Sequence, residues 1–416
     1  MAFTPADVQD GCLVLALLLY AFLSDPTPDN PGVTEALIGM FLVLYVGVQR
    51  GIAVGAGLLL GKASSTAMEV VGSLAFVYLL WVPLIIGLVE GWDPVDIVRD
   101  VIPHIYLFVP LFFYQRMIGS RWRWEVILAG LLAVVGVSLS IRFLIIAGAM
   151  LQEIGTASFG FDMFLKLSSD PSVLFVAIFL PLMAVRTWKF SQPLRVFSSL
   201  VMFSGGIIAL AALAATVSRG PLGLALISFI VFFVVYFGRS GANFLFGVVL
   251  FSIAFYFLYE QISGTIGLLI GKQEQVGLSQ KDVEFLAVIS DVSSSWVQSV
   301  FGKGWGALFY GPTHPRTGFS FTHMLLSYTL LKSGLIGTFL IFAFGLTFLP
   351  AAMRLAKRNV ALFLAIGAPV MYGVILNPQF KFLTFGLLLA LLAVAGGSGT
   401  GNTGGAHTAS PGDRET

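Results

Sequence analysis

Long apolar runs, separated by short polar connections, dominate the pattern of the chain. A membrane-spanning helix needs about 20 mainly apolar residues, and roughly twelve runs approach or exceed that length. They cover approximately residues 11–23, 33–49, 69–89, 101–115, 125–148, 172–186, 196–216, 221–238, 242–260, 321–349, 360–376 and 381–396. The pattern predicts an all-α polytopic membrane protein with about 12 transmembrane helices. The first run lacks a cationic segment before it and a small-residue cleavage site after it, so we expect it to be retained.

Charged residues alternate between the connections in step with these runs. One set of connections is rich in lysine and arginine: Arg50, Lys62, Arg116, Arg121, Arg123, Arg186, Lys189, Arg195, Arg239, Arg354, Lys357 and Arg358. The other set is mainly acidic: Asp25, Asp29, Glu90, Asp93, Asp96, Asp100, Glu153, Asp162 and Asp170. Cytoplasmic connections are enriched in lysine and arginine. We therefore expect a multi-pass membrane protein with both termini in the cytoplasm.

The pattern predicts one transmembrane domain, 1–396, that contains an unusually long connection, 261–320, on the outer side of the membrane. Connections of that length inside a compact fold are usually functional. This one carries four cations, Lys272, Lys281, Lys303 and Arg316, against the charge rule. Residues 397–416 are rich in glycine, serine and threonine, which predicts a disordered cytoplasmic tail.

Composition narrows the possible functions. Apolar residues make up 57% of the chain and charged residues 11%, against about 25% charged in soluble domains. The net charge of +2 provides no basic stripe, so we expect no nucleic-acid partner. The single cysteine, Cys12, excludes disulfides within the chain and thiolate metal clusters.

Histidines are the natural candidates for proton transfer near neutral pH. Of the four in the chain, His407 lies in the tail. We predict that His104, His314 and His323 lie at one membrane surface, on the outer side. None has the spacing of a metal site, so the sequence predicts no bound metal.

Arg219 is a candidate for binding phosphate. It lies in the sequence ATVSRGPLGLAL, where Pro221 suits the first turn of a helix. Free amide hydrogens at a helix start and an arginine guanidinium both bind phosphate oxygens. The alternative is an interfacial arginine that contacts lipid headgroups.

Two further cations, Arg142 and Lys332, lie within apolar runs. Charges inside a membrane are costly and usually functional, so both are candidates for substrate binding. Arg142 has the alternative of reaching the membrane surface. Lys332 is nine residues past His323, about 13 Å along a helix. We find no aspartate or glutamate in the apolar runs beside either cation, which argues against an ion-coupled carrier.

Two segments together resemble the O-antigen ligase and O-antigen polymerase superfamily. The first is Ser218-Arg219-Gly220 at a helix start, and the second is a helix led by His323 with Gly334 and Gly337 in a GLIG turn. The segment Phe301-Gly302-Lys303-Gly304-Trp305-Gly306 is similar to the glycine-rich stretch before the family's histidine. The resemblance covers roughly 210–345.

The sequence also departs from the family pattern. Met324 replaces a polar residue after the histidine, and Lys332 stands where a glutamate is common. The family's second arginine, early in the long connection, has only Lys272 and Lys281 as counterparts. A lysine neutralises phosphate without the two-pronged geometry of arginine.

The resemblance implies an inverting transfer of a glycan from an undecaprenyl-diphosphate carrier to a sugar hydroxyl, without a metal or another cofactor. It also implies a multi-pass protein of the bacterial inner membrane with the active site on the periplasmic side. It implies that His323 is the base and that Arg219 stabilises the leaving diphosphate. Lys281, Lys272, His314, Arg316, Arg142 and Lys332 are further candidates for contacts with substrate or membrane lipid. The acceptor is a glycan, for a polymerase of repeat units, or lipid A-core, for an O-antigen ligase. A flippase or transporter for lipid-linked sugars and a non-catalytic membrane scaffold remain alternatives.

Overall fold

The computed structural model describes residues 5–26, 32–58, 66–153, 161–188, 191–216, 219–237, 252, 281–310, 318–319 and 322–397. The predicted run 242–260, apart from Ser252, and the predicted tail after Gly397 lie outside the described residues. The predicted connection 261–320 is described in part.

The described chain is mainly α-helical. The first helices are α1 (Pro5–Phe22), α2 (Val33–Val46), α3 (Val48–Gly55), α4 (Ala67–Glu90), α5 (Pro94–Leu107), α6 (Val109–Gly119), α7 (Trp124–Glu153), α8 (Phe161–Ser168), α9 (Pro171–Thr187), α10 (Pro193–Ala215) and α11 (Arg219–Phe237). They are followed by α12 (Lys281–Val292), α13 (Trp296–Phe301), α14 (Leu325–Leu346), α15 (Leu349–Arg358), α16 (Val360–Ile375), a 3-10 turn (Gln379–Lys381) and α17 (Leu383–Gly397). Strands β1 (Phe309–Tyr310) and β2 (Gly318–Phe319) pair antiparallel before α14.

Within the described ranges, five helical stretches are long and apolar enough to cross a membrane. They are Ala67–Glu90, Pro94–Gly119, Trp124–Gly148, Pro193–Ala215 and Leu325–Arg358. Helices α2 and α3 together form a sixth candidate, bent by 88° at Gly47, whose φ is +78°. The shorter apolar helices Pro171–Thr187, Gly220–Tyr236, Val360–Ile375 and Leu383–Gly397 match further predicted runs. The prediction of an all-α membrane protein is confirmed at this level.

Two of the shorter apolar helices, α9 and α17, form the interior of the bundle. Helix α9 packs against α7, α10 and α16, while α17 packs against α5, α6 and α15. Twelve of the 17 residues of α9 and 14 of the 15 residues of α17 are buried. A helix that is apolar on all sides is stable when neighbouring helices surround it. The runs at 172–186 and 381–396 therefore form the core of the protein.

Asp170, which caps α9, ties together the ends of three helices. Its buried carboxylate accepts hydrogen bonds from the Tyr20 hydroxyl at 2.6 Å, the Ser172 amide at 2.8 Å and the Thr384 hydroxyl at 2.7 Å. Burial raises the pKa of the Asp170 carboxyl above its usual range, and these hydrogen bonds act in the opposite direction. The capping residue of α9 therefore also fixes α1 and α17.

The run predicted at 101–115 differs most from the structure. Helix α5 begins earlier, at Pro94, because the Asp93 side chain caps it by accepting a hydrogen bond from the Val95 amide at 2.7 Å. The chain bends at Phe108, where α5 ends and α6 follows. His104 therefore lies in the last turn of α5, buried and stacked on Phe76 with ring centroids 5.2 Å apart. The predicted surface position of His104 is wrong.

Candidate functional site

His323 and Glu284 form an ordered pair just before α14. Glu284 lies in the first turn of α12, and His323 lies two residues before α14 begins. The Glu284 Oε2 atom is 2.6 Å from His323 Nδ1, and its Oε1 atom accepts a hydrogen bond from the His323 amide at 2.8 Å. The carboxylate thus holds both the ring and the backbone of the histidine.

This geometry determines which ring nitrogen of His323 can accept a proton. An ionised carboxylate only accepts hydrogen bonds, so Nδ1 of a neutral ring carries the hydrogen and Nε2 keeps its lone pair. The His323 side chain is 57% exposed, whereas that of Glu284 is 16% exposed. A carboxylate that orients a histidine in this way also stabilises the imidazolium formed when the ring takes a proton. The pair is suited to general base catalysis.

A second ion pair fixes α12 in position. Lys303 Nζ donates to both carboxylate oxygens of Asp291, at 2.6 and 2.7 Å. Asp291 lies seven residues after Glu284, two turns along the same side of α12. On the adjoining part of that side, Val288 and Val292 form a buried cluster with Leu331 of α14. The position of Glu284 therefore depends on how α12 is fastened to α14.

The glycine-rich segment 301–306 provides that attachment by entering a break in α14. Gly334 has a φ of +63°, which interrupts the helical backbone. Just before this break, the carbonyls of Leu331 and Lys332 accept hydrogen bonds from the amides of Lys303 at 2.9 Å and Gly304 at 3.0 Å. A Cβ atom at Gly302 would lie 2.4 Å from the Ser333 amide nitrogen. The two backbones approach so closely that a side chain there would collide with α14.

The same segment provides a hydrogen-bond donor to a backbone carbonyl of α4 that has no partner within the helix. Pro83 has no amide hydrogen, so the Leu79 carbonyl lacks its usual partner within the helix. The Trp305 indole donates to this carbonyl at 3.0 Å, and the Trp305 amide donates to the Pro83 carbonyl at 2.9 Å. Gly87 makes room, because a Cβ atom there would lie 2.3 Å from the Trp305 carbonyl oxygen. The segment is thus held between α4 and α14.

Lys332 lies beside this segment in a fully buried ion pair with Asp100. Its ammonium group donates to Asp100 Oδ2 at 2.5 Å and to the Ala307 carbonyl at 2.6 Å. Asp100 also accepts hydrogen bonds from the Gly306 amide at 2.8 Å and from the Tyr328 hydroxyl at 3.1 Å. These contacts join α5, α14 and the glycine-rich segment. The expectation that no carboxylate accompanies Lys332 is wrong, because Asp100 lies inside α5 and faces the interior.

The remaining predicted residues are distributed as follows. Arg142 donates to the carbonyls of Ala21 at 3.1 Å and Ser24 at 2.9 Å, which fastens α7 to the end of α1. Arg219 is the first residue of α11, and Gly220 beside it packs against the Tyr372 ring of α16. Lys281 is the first residue of α12. Lys272, His314 and Arg316 lie outside the described residues.

The structure thus brings His323 together with Glu284, which the sequence-based prediction missed. The two are 39 residues apart, and no local pattern links them. A weaker signal was present, since Glu284 and Asp291 share one side of the helix KDVEFLAVISDV. Among the described residues, no three His, Cys, Asp or Glu side chains form a group that could hold a metal ion.

No protein-family model and no curated protein matches this chain.

Proposed function

We propose that the chain is a membrane glycan transferase that uses the Glu284–His323 pair as its base. The donor is a glycan on an undecaprenyl-diphosphate carrier, and the acceptor is a sugar hydroxyl. The observation that carries the proposal is the pair itself: a histidine with one nitrogen bound to a carboxylate and a largely exposed ring. The sequence resemblance to the O-antigen ligase and polymerase superfamily supports the same chemistry.

In this reaction the acceptor hydroxyl donates a hydrogen bond to Nε2 of His323 and loses its proton to that atom. The oxygen then forms a bond to the anomeric carbon while the bond from that carbon to the diphosphate oxygen breaks. Attack from the face opposite the leaving group inverts the anomeric configuration. Glu284 stabilises the imidazolium that results, and the lipid diphosphate departs as an anion.

Cations are needed where negative charge develops on the leaving diphosphate. Arg219, at the start of α11, is the proposed residue, because a guanidinium and the free amides of a helix start both bind phosphate. The proposed second cation is either Lys281, at the start of α12, or Lys272. The buried Lys332 is already paired with Asp100, so we assign it a structural role and not a contact with the diphosphate.

We also propose a topology in the bacterial inner membrane. The chain has about 12 transmembrane helices, both termini lie in the cytoplasm, and the 261–320 connection lies in the periplasm. Single cysteines at Ser294 and Ser120, in a Cys12→Ser background, should react with an impermeant maleimide from opposite faces of the membrane. Labelling of both from one face would overturn the orientation.

The activity is tested with the purified protein in lipid nanodiscs and a synthetic undecaprenyl-diphosphate glycan, in the presence of EDTA. We expect transfer by the wild type and a loss of roughly 100- to 10,000-fold in His323→Gln, because a general base contributes about that factor. Glu90→Gln, an exposed carboxylate at the end of α4, is the matched control and should retain activity. Equal activity of His323→Gln and wild type would refute the proposal.

The acceptor determines which enzyme this is. We propose polymerisation of repeat units, in which the acceptor is a second carrier-linked glycan. Chain growth on carrier-linked glycan alone supports a polymerase, whereas product that forms only with lipid A-core supports an O-antigen ligase.

A further inference from the structure

Helix α12 has the reverse of the usual surface pattern. From Val283 to Val292 the exposed side chains are Val283, Leu286, Ile289 and Ser290, none of them charged. The two carboxylates of the same stretch, Glu284 and Asp291, are only partly exposed and pair with His323 and Lys303. A helix at a water-facing surface normally has its charged residues outside and its apolar residues inside.

From Val283 to Ile289, the outward side of α12 is apolar. Leu286 is 64% exposed and lies between Val283 and Ile289 at intervals of three residues, so the three form one stripe along the helix. In the next helix, α13, Trp296 is 75% exposed. Tryptophan is enriched at the boundary between membrane and water. An uncharged stripe followed by an exposed tryptophan is typical of a segment that lies in that boundary.

The depth at which α12 packs against α14 is an independent indication that α12 lies at the membrane boundary. Helix α12 packs against α14, and Val288 and Val292 belong to one buried cluster with Phe309 and Leu331. Leu331 is six residues into α14 and thus about 9 Å below its start. Helix α14 belongs to the candidate membrane span Leu325–Arg358, and a span crosses about 30 Å of hydrocarbon. A helix whose buried side chains cluster with Leu331 therefore lies at the depth of the leaflet that contains the start of α14.

We propose that the exposed stripe Val283, Leu286, Ile289 with Trp296 is buried in that leaflet and contacts lipid acyl chains near the headgroups. Helices α12 and α13 then form an interfacial element of the membrane domain, not an extramembrane loop. The two carboxylates face His323 and Lys303 while the outward stripe faces lipid. Neither set of side chains is then in an unfavourable environment.

For the proposed transferase, this position has a direct consequence, which rests on that proposed function. Glu284 sits one residue from Val283, so the Glu284–His323 pair is held at the level of the lipid headgroups. A carrier lipid keeps its chain in the bilayer and its diphosphate at that same level. The donor is thus able to reach the base by lateral diffusion without leaving the membrane.

The proposal is tested by nitroxide labels on single cysteines in a Cys12→Ser background, in liposomes. Collision with oxygen, which concentrates in lipid, is compared with collision with a water-soluble nickel chelate. Leu286→Cys is the test position and Ile289→Cys is a second one, in case the first perturbs folding. Phe339→Cys on the exposed side of α14 is the lipid control, and Ser191→Cys in the exposed connection before α10 is the water control.

We expect both test positions to favour oxygen over the nickel chelate several-fold, as at Phe339. A preference for the nickel chelate, as at Ser191, would show that the stripe faces water and overturn the proposal. Low collision with both reagents, as expected for a label at the buried Val288, would show a protein partner and overturn it too. The measurement uses no glycan substrate, so it fails or succeeds independently of the proposed enzymatic activity.

Discussion

Replacement of Glu284 by glutamine tests the role of the carboxylate with almost no change in shape. In the wild type one oxygen accepts from the His323 amide at 2.8 Å and the other lies 2.6 Å from Nδ1. A glutamine has one oxygen and one NH₂ group, so it cannot provide both acceptors. If its oxygen faces the backbone amide, its NH₂ faces Nδ1, and the hydrogen of the neutral ring moves to Nε2.

The expected loss follows from that displaced hydrogen. With Nε2 protonated, the neutral ring offers no lone pair to the acceptor hydroxyl. If the glutamine oxygen instead faces Nδ1, its NH₂ meets the backbone amide and two donors oppose each other. In either arrangement the negative charge that stabilises the imidazolium is lost. We expect kcat to fall about 100- to 10,000-fold, which corresponds to roughly 2.7–5.4 kcal/mol of barrier.

The assay is transfer of a fluorescent glycan from the synthetic carrier, with kcat and KM measured separately. KM for the donor should change little, since neither orientation of glutamine removes a proposed diphosphate contact. Glu90→Gln again serves as the control for the substitution itself. Near-normal kcat in Glu284→Gln together with an inactive His323→Gln would refute the orienting role. Glu284 would then only anchor α12.

Three further predictions follow from other contacts. Arg219→Ala should abolish transfer and Arg219→Lys should retain only a small part of it, because the two-pronged guanidinium is lost; full activity of the alanine variant in the same assay would leave only a role at the lipid headgroups. Lys303→Asp should destabilise the packing of α12 by about 1.5–3 kcal/mol, at the lower end because Asp291 is partly exposed, and should lower activity. The double variant Lys303→Asp with Asp291→Lys should recover most of that activity. No recovery would show that the pair does not act through its charges. Asp170→Ala leaves the hydroxyls of Tyr20 and Thr384 without their buried acceptor and should lower stability by about 2–5 kcal/mol. Asp170→Asn should lower stability less, as measured by thermal unfolding in detergent. Equal stability of the two variants would refute the capping role.

The apolar runs predicted most helices closely, because a long run of apolar residues has few alternatives to a helix in or near a membrane. The run at 360–376 corresponds to Val360–Ile375, and that at 125–148 lies within Trp124–Glu153. Run length did not reveal bends, which depend on single residues such as Gly47. It also missed the start of α5, where polar residues begin the helix and Asp93-Pro94 was the available signal.

The candidate site was less accessible from sequence. His323 could be singled out because histidines are scarce, but its partner Glu284 lies on another helix. Asp100 was assigned to a connection by the charge pattern, so the pair it forms with Lys332 was invisible. Both partnerships arise from the packing of elements far apart in the chain, and neither local periodicity nor charge alternation reports on such packing.

The contact between Trp305 and α4 sets an order for the assembly of the protein during its synthesis. The Leu79 carbonyl and the indole that completes its hydrogen bonding are 226 residues apart. At about 5–20 residues per second, the ribosome needs roughly 11–45 s to cover that distance. Throughout that interval α4 carries an unsatisfied carbonyl at Leu79, which is costly in hydrocarbon. Helix α4 therefore reaches its final state only after the glycine-rich segment has been translated and has packed against it. A ribosome stalled before residue 305 leaves the Leu79 carbonyl without the Trp305 indole as its donor.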